Sequence, residues 1–357
     1  MLRPPAEARL QGAFSTLPPE LFFNVLDQLV GTRDGQQPVA YEPSNAITKA
    51  LRALTLVSRN IYPIASRYLY SYCLCLDNCT NYARFCRTLG LNLGSHPQAL
   101  KYGQAGRNEK LFANAETTRY ITSTFISPIN TTKDGIGSTM VRLPQVIDLC
   151  SVIGRALRRL ILDLQTLYAP ASEVDLVQPH IIENNIFLHM PNLEELVVSF
   201  DVVDYFPYPP LNLKRLAITV QEMMDAHLDF CFSMSSLQTL IFLRPPELAS
   251  TDIDLLFKAY KGNVLDVVLV DVNSNHRTPH GTRSWEANDT VRIWEADVAT
   301  SFYGDDDDLI LCENWMWKHG LEGTLWTQDK RRMASWAETE RRLAGPVHLI
   351  TDGSHSL

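Results

Sequence analysis

The sequence predicts an α/β chain in three parts: a short helical module, an irregular solenoid of helix–strand units, and a C-terminal cap of different composition. Three observations carry this. Apolar residues recur at helical spacing through residues 16–70. An L-x-x-L-x-L string returns several times between residues 150 and 270. All 6 tryptophans lie beyond residue 284.

Residues 1–15 read as a flexible leader, and the module occupies 16–70. Pro18 suits a first helical turn, where its missing N–H costs nothing, and Glu20 suits the positive end of the helix dipole. Leu21, Phe22, Val25, Leu26 and Leu29 follow as an apolar stripe. Residues 31–45, punctuated by Gly and Pro, are a polar loop. A second helix is expected over 45–58, with Ala46, Ile47, Ala50, Leu51, Leu54 and Val57 on one face. Pro63 opens a third, with Ile64, Ala65, Tyr68 and Leu69 facing inward. Helices this short are marginal alone and have to pack together or on a partner.

Residues 71–272 form the repeating body. Leu157, Leu160 and Leu162 make one copy of the strand motif; Leu193, Leu196 and Val198 the next. Leu213, Leu216 and Ile218 make a third, and Leu237, Leu240 and Phe242 a fourth. Val264, Val267 and Leu269 are a looser fifth, and weaker candidates lie at 72–76 and 119–125. Helical segments are expected at 144–154, 178–189, 222–233 and 251–261, with none before the third copy. Each strand has an apolar face it cannot bury alone, so stacked units complete one core. Spacings of 36, 20, 24 and 27 residues make the array irregular.

The region 273–357 is expected to cap this array, since repeat proteins need their open ends closed. Its polar stretch 273–290 reads as a loop, Asp305–Asp308 as a solvated acidic run, and 330–343 as a charged surface helix. On a strand, Trp315 and Trp317 would point the same way and form an aromatic shelf, a candidate substrate contact.

Composition narrows the function. Hydrophobic residues make up 45%, enough for a sizeable core. Net charge is −8, divided unevenly: residues 1–120 carry 13 Lys+Arg against 8 Asp+Glu, and the remainder 19 against 32. An acidic body argues against nucleic acid as ligand. No apolar run is long enough for a membrane span, and the N-terminus lacks a signal peptide's apolar core. An intracellular site, cytoplasmic or nuclear, is expected, and 7 cysteines fit a reducing compartment.

No catalytic residue, cofactor or metal is expected. Cys73, Cys75, Cys79 and Cys86 lack paired C-x-x-C spacing, and the first two alternate with apolar residues as on a strand. His180 and His189 stand nine apart, so they do not share a helix face. No nucleophile elbow, P-loop or dinucleotide fingerprint occurs, and no local signature marks Cys231 or Cys312 as a nucleophile.

The strings LPPELFFNVLDQL (17–29) and LRALTLVSRNIYPIASRYLY (51–70) resemble the F-box of fungal F-box proteins. Leu17, Pro18, Glu20, Leu21, Val25, Leu26 and Leu29 match the first half of the pattern. Leu54, Val57, Ser58, Arg59, Ala65, Leu69 and Tyr70 match the second. The leucine-rich-repeat-like body behind it is an arrangement many such proteins show. The loop at 31–45 departs from the pattern, being longer than is usual, and is expected beside the adaptor surface. The resemblance implies a non-enzymatic substrate receptor of an SCF-type ubiquitin ligase. The F-box would bind a Skp-type adaptor, and through it a cullin–RING ligase, while the repeats hold a protein substrate. It implies adaptor contacts among Leu17, Pro18, Glu20, Leu21, Val25, Leu26, Leu29, Leu54, Val57 and Leu69. The alternative is a leucine-rich interaction scaffold with a degenerate F-box and no ligase role.

Overall fold

The computed structural model of the chain describes residues 19–31, 37–91, 117–129, 141–164, 167, 178, 181–219, 225–243, 260–270, 286, 288–296, 312–332 and 335. Three helices come first: α1 (Pro19–Val30), α2 (Ala46–Leu54) and α3 (Ile61–Tyr72). On α1, Phe22, Leu26 and Val30 fall one turn apart and are buried with Leu51, Ile61, Ala65 and Tyr68 as a core of their own. Asn45 starts α2 by accepting the Ile47 N–H on its side chain at 2.8 Å, which satisfies a donor that a helix start leaves unpaired. This helix stops at Leu54, four residues short of the sequence expectation, and α3 opens two residues before Pro63. Pro63 therefore sits in a first turn, where no intrahelical donor is lost. The Tyr68 hydroxyl donates to Asp27 and ties α3 to α1.

A nine-stranded, mostly parallel sheet follows, with helices interspersed. The strands are β1 (Cys75–Asn78), β2 (Ser123–Ile129), β3 (Arg159–Leu162), β4 (Glu195–Val198), β5 (Arg215–Thr219), β6 (Thr239–Leu243), β7 (Leu265–Val270), β8 (Val291–Ala296) and β9 (Arg331–Arg332). Each pairs with the strand that follows it in sequence, in parallel from β1 to β8 and antiparallel between β8 and β9. Parallel neighbours need a crossover of some length. Among the described residues, α4 (Cys79–Thr88), α5 (Leu143–Ile153), α6 (Asp201–Tyr205) and α7 (Asp225–Phe232) contribute to these crossovers.

The leucine motifs fall where their spacing predicts. Leu160 and Leu162, Leu196 and Val198, Leu216 and Ile218, and Leu240 and Phe242 are buried against the crossover helices. The fifth copy keeps its register, Val267 pairing with Leu240 and Leu269 with Phe242, and differs only at its first position. Its strand begins at Leu265, so Leu265, Val267 and Leu269 alternate onto that core while Val264 is exposed. Upstream, β1 and β2 overlap the two weaker candidates but begin three and four residues later, because Tyr72 ends α3, with Cys73 as its cap, and residues 117–120 form a 3-10 turn.

Four further expectations need correction. Residues 182–189 form two single 3-10 turns rather than an amphipathic helix, because the Asn185 side chain accepts the Phe187 N–H and competes with helical bonding. The third copy is preceded by a helix, the short α6, which ends before the prolines at 207, 209 and 210. Within the region read as a cap, 291–296 is a full strand of the sheet. Finally, Arg331 and Arg332 are a strand, held to β8 by an Arg331–Glu295 ion pair, where a helix was expected from 330. Residues 251–259 and 336–343 lie outside the described residues.

A polar ladder stitches the units at the turns entering the strands. The Asn192 side-chain amide donates to the Arg155 carbonyl at 2.9 Å, and Asn212 to Pro191 at 2.8 Å. The Ser236 hydroxyl donates to Leu213 at 2.8 Å, and Tyr260 donates to Leu237. These bonds satisfy carbonyls that the strand ladder does not reach. The signal is legible once known, because Asn192, Asn212 and Ser236 each immediately precede the first leucine of a unit.

At the opposite ends of the strands, Ser127, Asp163, Ser199 and Thr219 form a buried polar row, and the Ser127 hydroxyl donates to Asp163 at 2.8 Å. Beside it, Asp201 Oδ1 is buried without a hydrogen-bond partner among the described residues. Burial pushes the Asp201 carboxyl up to about 6, with the Asp163 and Asp204 charges adding to the rise and a Ser199 hydrogen bond opposing it. A raised carboxyl binds its proton more tightly in the folded state, so its penalty is absent below the unfolded value and grows as pH rises towards 6. Asp201→Asn should therefore stabilise the protein by on the order of 2 kcal/mol at pH 7.5 in urea unfolding. The gain should shrink to nothing towards pH 4; an effect that is constant with pH would show that the charge is not the cause.

Candidate partner-docking face

The three-helix module fills its own core and still presents large apolar side chains to solvent. Leu21 is 50% exposed and Val25 58%, one turn apart on α1 and rotated by about 100° from the buried Phe22–Leu26–Val30 stripe. In the turn after α2, Leu56 is 87% exposed and Val57 51%, and Tyr62 at the start of α3 is 51% exposed. Of the residues the F-box resemblance selects, Glu20, Leu21, Val25 and Val57 are thus solvent-facing. Leu29, Leu54 and Leu69 are half-buried against the module core. Leu26 is 1% exposed, so it holds the module together and is not available to a partner. Leu17 and Pro18 lie outside the described residues. Sequence matching missed Leu56 and Tyr62, whose only signal is apolar character beside the matched Val57 and Ser58.

The second half of the long loop turns out to be structural. Val39 and Ala40 are buried. The Val39 N–H donates to the Leu321 carbonyl at 2.8 Å, and its carbonyl accepts from the Ser123 hydroxyl at 2.6 Å. Arg159 donates to the carbonyls of Gln37 at 2.7 Å and Pro38 at 3.0 Å. On the module side, Tyr41 donates its N–H to Tyr72 at 2.7 Å and its hydroxyl to Val30 at 3.1 Å. Residues 37–41 thus clamp module, sheet and C-terminal segment together, a role the polar composition of the loop concealed.

The C-terminal segment covers the face of the sheet that the crossover helices leave open. Its helix α8 (Cys312–Glu322) lays Met316 and Gly320 over Ile161 and Val197 in a second core that also buries Ala217, Ile241 and Val268. A Cβ at Gly320 would come within 3.3 Å of Ile161, so glycine permits the close approach. Gly323 takes a φ of +76° against the Gln37 carbonyl, where a side chain would clash. Trp315 and Trp317 lie on α8, not on a strand. They flank Met316 on its two sides, half-buried against the second core, and so form no shared shelf. Beyond the helix, Trp326 donates to Glu195 at 3.2 Å and Lys330 reaches Asp266 at 3.4 Å, so the segment continues across the sheet to β8.

A cavity of about 460 Å³ opens at the turns entering β4 to β7, lined by Asn192, Glu194, Asn212, Lys214, Gln238 and Asn263 among others. Glu194 receives Lys214 at 3.0 Å and Arg158 at 3.8 Å.

Among the described residues no group of three or more His, Cys, Asp or Glu is placed to hold a metal ion. Cys73, Cys75, Cys79 and Cys86 are buried, and burial pushes the Cys73 thiol up to about 11 and Cys86 up to about 12. Cys231 is fully buried in the helix-side core, its thiol likewise raised. Such thiols stay protonated at neutral pH and are poor nucleophiles and ligands. The Cys312 side chain and His180 lie outside the described residues. No described helix is long and apolar enough to cross a membrane.

Protein-family models, curated proteins and solved structures were each compared with the chain, and none matches.

If α8 seals the second core, Gly320→Ile should overpack it and lower stability by about 1–3 kcal/mol in urea unfolding. Lys318→Ala, exposed on the same helix, should stay within about 0.5 kcal/mol of the parent. Equal effects would place α8 loosely on the sheet.

Proposed function

We propose that the protein is the substrate-recognition subunit of an SCF-type ubiquitin ligase. In this reading the N-terminal module is an F-box that docks a Skp-type adaptor, and the body is an irregular leucine-rich-repeat-like solenoid that holds a protein substrate. The observation that carries it is the uncovered apolar set Leu21, Val25, Leu56, Val57 and Tyr62 on a module whose core is already filled. Single exposed aliphatics are ordinary, but several on one small helical unit, with Leu21, Val25 and Val57 at positions where the F-box pattern matches, suit an interface with apolar anchors. The strict sequential pairing of β1 to β8 supports the solenoid reading, since each unit contacts its sequence neighbours. The protein would perform no chemistry itself. It would supply proximity, turning a bimolecular encounter between substrate and ubiquitin-conjugating enzyme into an effectively intramolecular one.

A second reading, a non-ligase scaffold, draws on one observation: the 37–41 clamp gives the module a structural job in fixing the C-terminal segment. Co-purification with a Skp-type adaptor separates the two. The parent protein should hold the adaptor, and Leu21→Asp with Val25→Asp should lose it while unfolding at the same urea concentration. Leu26→Ala should instead cost about 2–5 kcal/mol of stability, as a core truncation does. Failure of the folded parent to capture the adaptor would favour the scaffold.

A further inference from the structure

The fold sorts its charges by the two ends of the sheet. Near the ends where strands leave it stand Asp77, Asp163, Asp201 and Asp204. In the described turns entering β2 to β7 the balance reverses. Arg155, Arg158 and Lys214 are exposed there against one turn carboxylate, Glu194, while Glu195 and Asp266 at the strand starts are paired with Arg215 and with Arg292 and Lys330. Glu194 is shared between Arg158 and Lys214, so it neutralises at most one of them. A cationic edge has thus been built into a region whose residues 121–357 are strongly acidic overall.

This edge also has shape. The cavity of about 460 Å³ lies along it, between the turns entering β4 and β7. Its amide groups come from successive turns, at Asn192, Asn212, Gln238 and Asn263. Asn192, Asn212 and Asn263 hold equivalent positions, three residues before the paired Glu195, Arg215 and Asp266, while Gln238 stands one residue before Thr239. Asn192 and Asn212 already donate to Arg155 and Pro191, so the groups make an uneven polar lining whose amide oxygens can accept from the backbone of a chain lying across the strand ends. Apolar side chains interrupt this lining: Leu211 and Val264 are exposed beside the cavity. The broad face of the sheet offers no such opening around its middle strands, because α8 and the residues after it cover that face.

We infer that this strand-entry edge, centred on Arg155, Arg158 and Lys214, binds an extended acidic peptide segment of a protein partner. The inference deepens the receptor reading and rests on it for its biological setting, since it assigns the class of substrate segment the body would hold. Carboxylates of the segment would meet the arginine and lysine side chains, and its apolar residues would cover Leu211 and Val264. The amide oxygens would accept from its backbone. Such an interaction is steered by charge and weakens with salt.

The test uses the full-length protein and a fluorescein-labelled peptide of alternating glutamate and leucine, followed by fluorescence anisotropy at low salt. Binding should be saturable and lost when lysine replaces glutamate in the peptide. Arg155→Glu together with Lys214→Glu should weaken it about tenfold, the scale expected for reversing complementary charges. Arg155→Gln alone, at an exposed side chain, gives a milder change that spares the fold. Each variant is also tested for adaptor capture, and Leu21→Asp with Val25→Asp is tested for peptide binding. Retained capture with weakened peptide binding supports the inference. Peptide binding by a protein that captures no adaptor supports the edge site and removes its ligase setting. No peptide binding by protein that still captures the adaptor overturns the inference and leaves the receptor reading standing. Tighter binding of an oligouridylate, with the same sensitivity to the variants, overturns it in favour of a nucleic-acid edge.

Discussion

Strands β3 to β7 carry apolar side chains on both faces, and both faces therefore have to be covered. Ile161, Val197, Ala217, Ile241 and Val268 point away from the crossover helices, interleaved with the leucines that point towards them. Among the described residues, the helices of the crossovers lie on one side of the sheet. The other side is closed by residues 312–327, which belong to no crossover. Leaving that side open would expose a contiguous apolar surface, which soluble chains rarely tolerate.

That requirement fixes the positions of the remaining parts. Once α8 lies across the middle strands, its C-terminal end needs an anchor, and residues 37–41 provide it through Val39, Gln37 and the glycine turn at 323. The same residues hold the three-helix module against β1 and β2 through Tyr41, Ser71 and Ser123. The module is thereby fixed to the body with Leu21 and Val25 facing solvent. The proposed receptor role would draw on such rigidity, because a loosely tethered substrate gains less effective concentration.

Covering the second face also decides which edge of the body stays accessible. The row Arg159, Glu195, Arg215, Thr239, Asp266 and Arg292 crosses the strand starts in register. It is partly used to hold the C-terminal segment: Trp326 bonds Glu195, and Lys330 reaches Asp266. What stays accessible is the outer rim of the entry turns, where the polar ladder and the cationic residues lie. The two strand ends differ because the turns that enter strands must pair their carbonyls and stay wet. The row at the far ends is buried, and there Asp201 pays with a raised protonation range.

From sequence alone, the α/β class, the three N-terminal helices and the strand positions at 159–162, 195–198, 215–219 and 239–243 could be read. Leucine spacing reports directly which side chains must leave water, and that is a local property. Leucine spacing led to the expectation of one apolar face per strand, whereas the residues between the leucines, such as Ile161 and Val197, are buried on a second face. That spacing could not say what covers the second face, because α8 reaches it across more than a hundred residues of chain. Likewise, Leu26 and Val25 both match the F-box pattern, and only packing shows that one is core and the other exposed. The 31–45 loop read as spacer because polar composition does not reveal backbone pairing with distant carbonyls and hydroxyls. Local periodicity determined the elements; long-range contacts, whose partners leave no periodic trace, decided which surfaces remain for a partner.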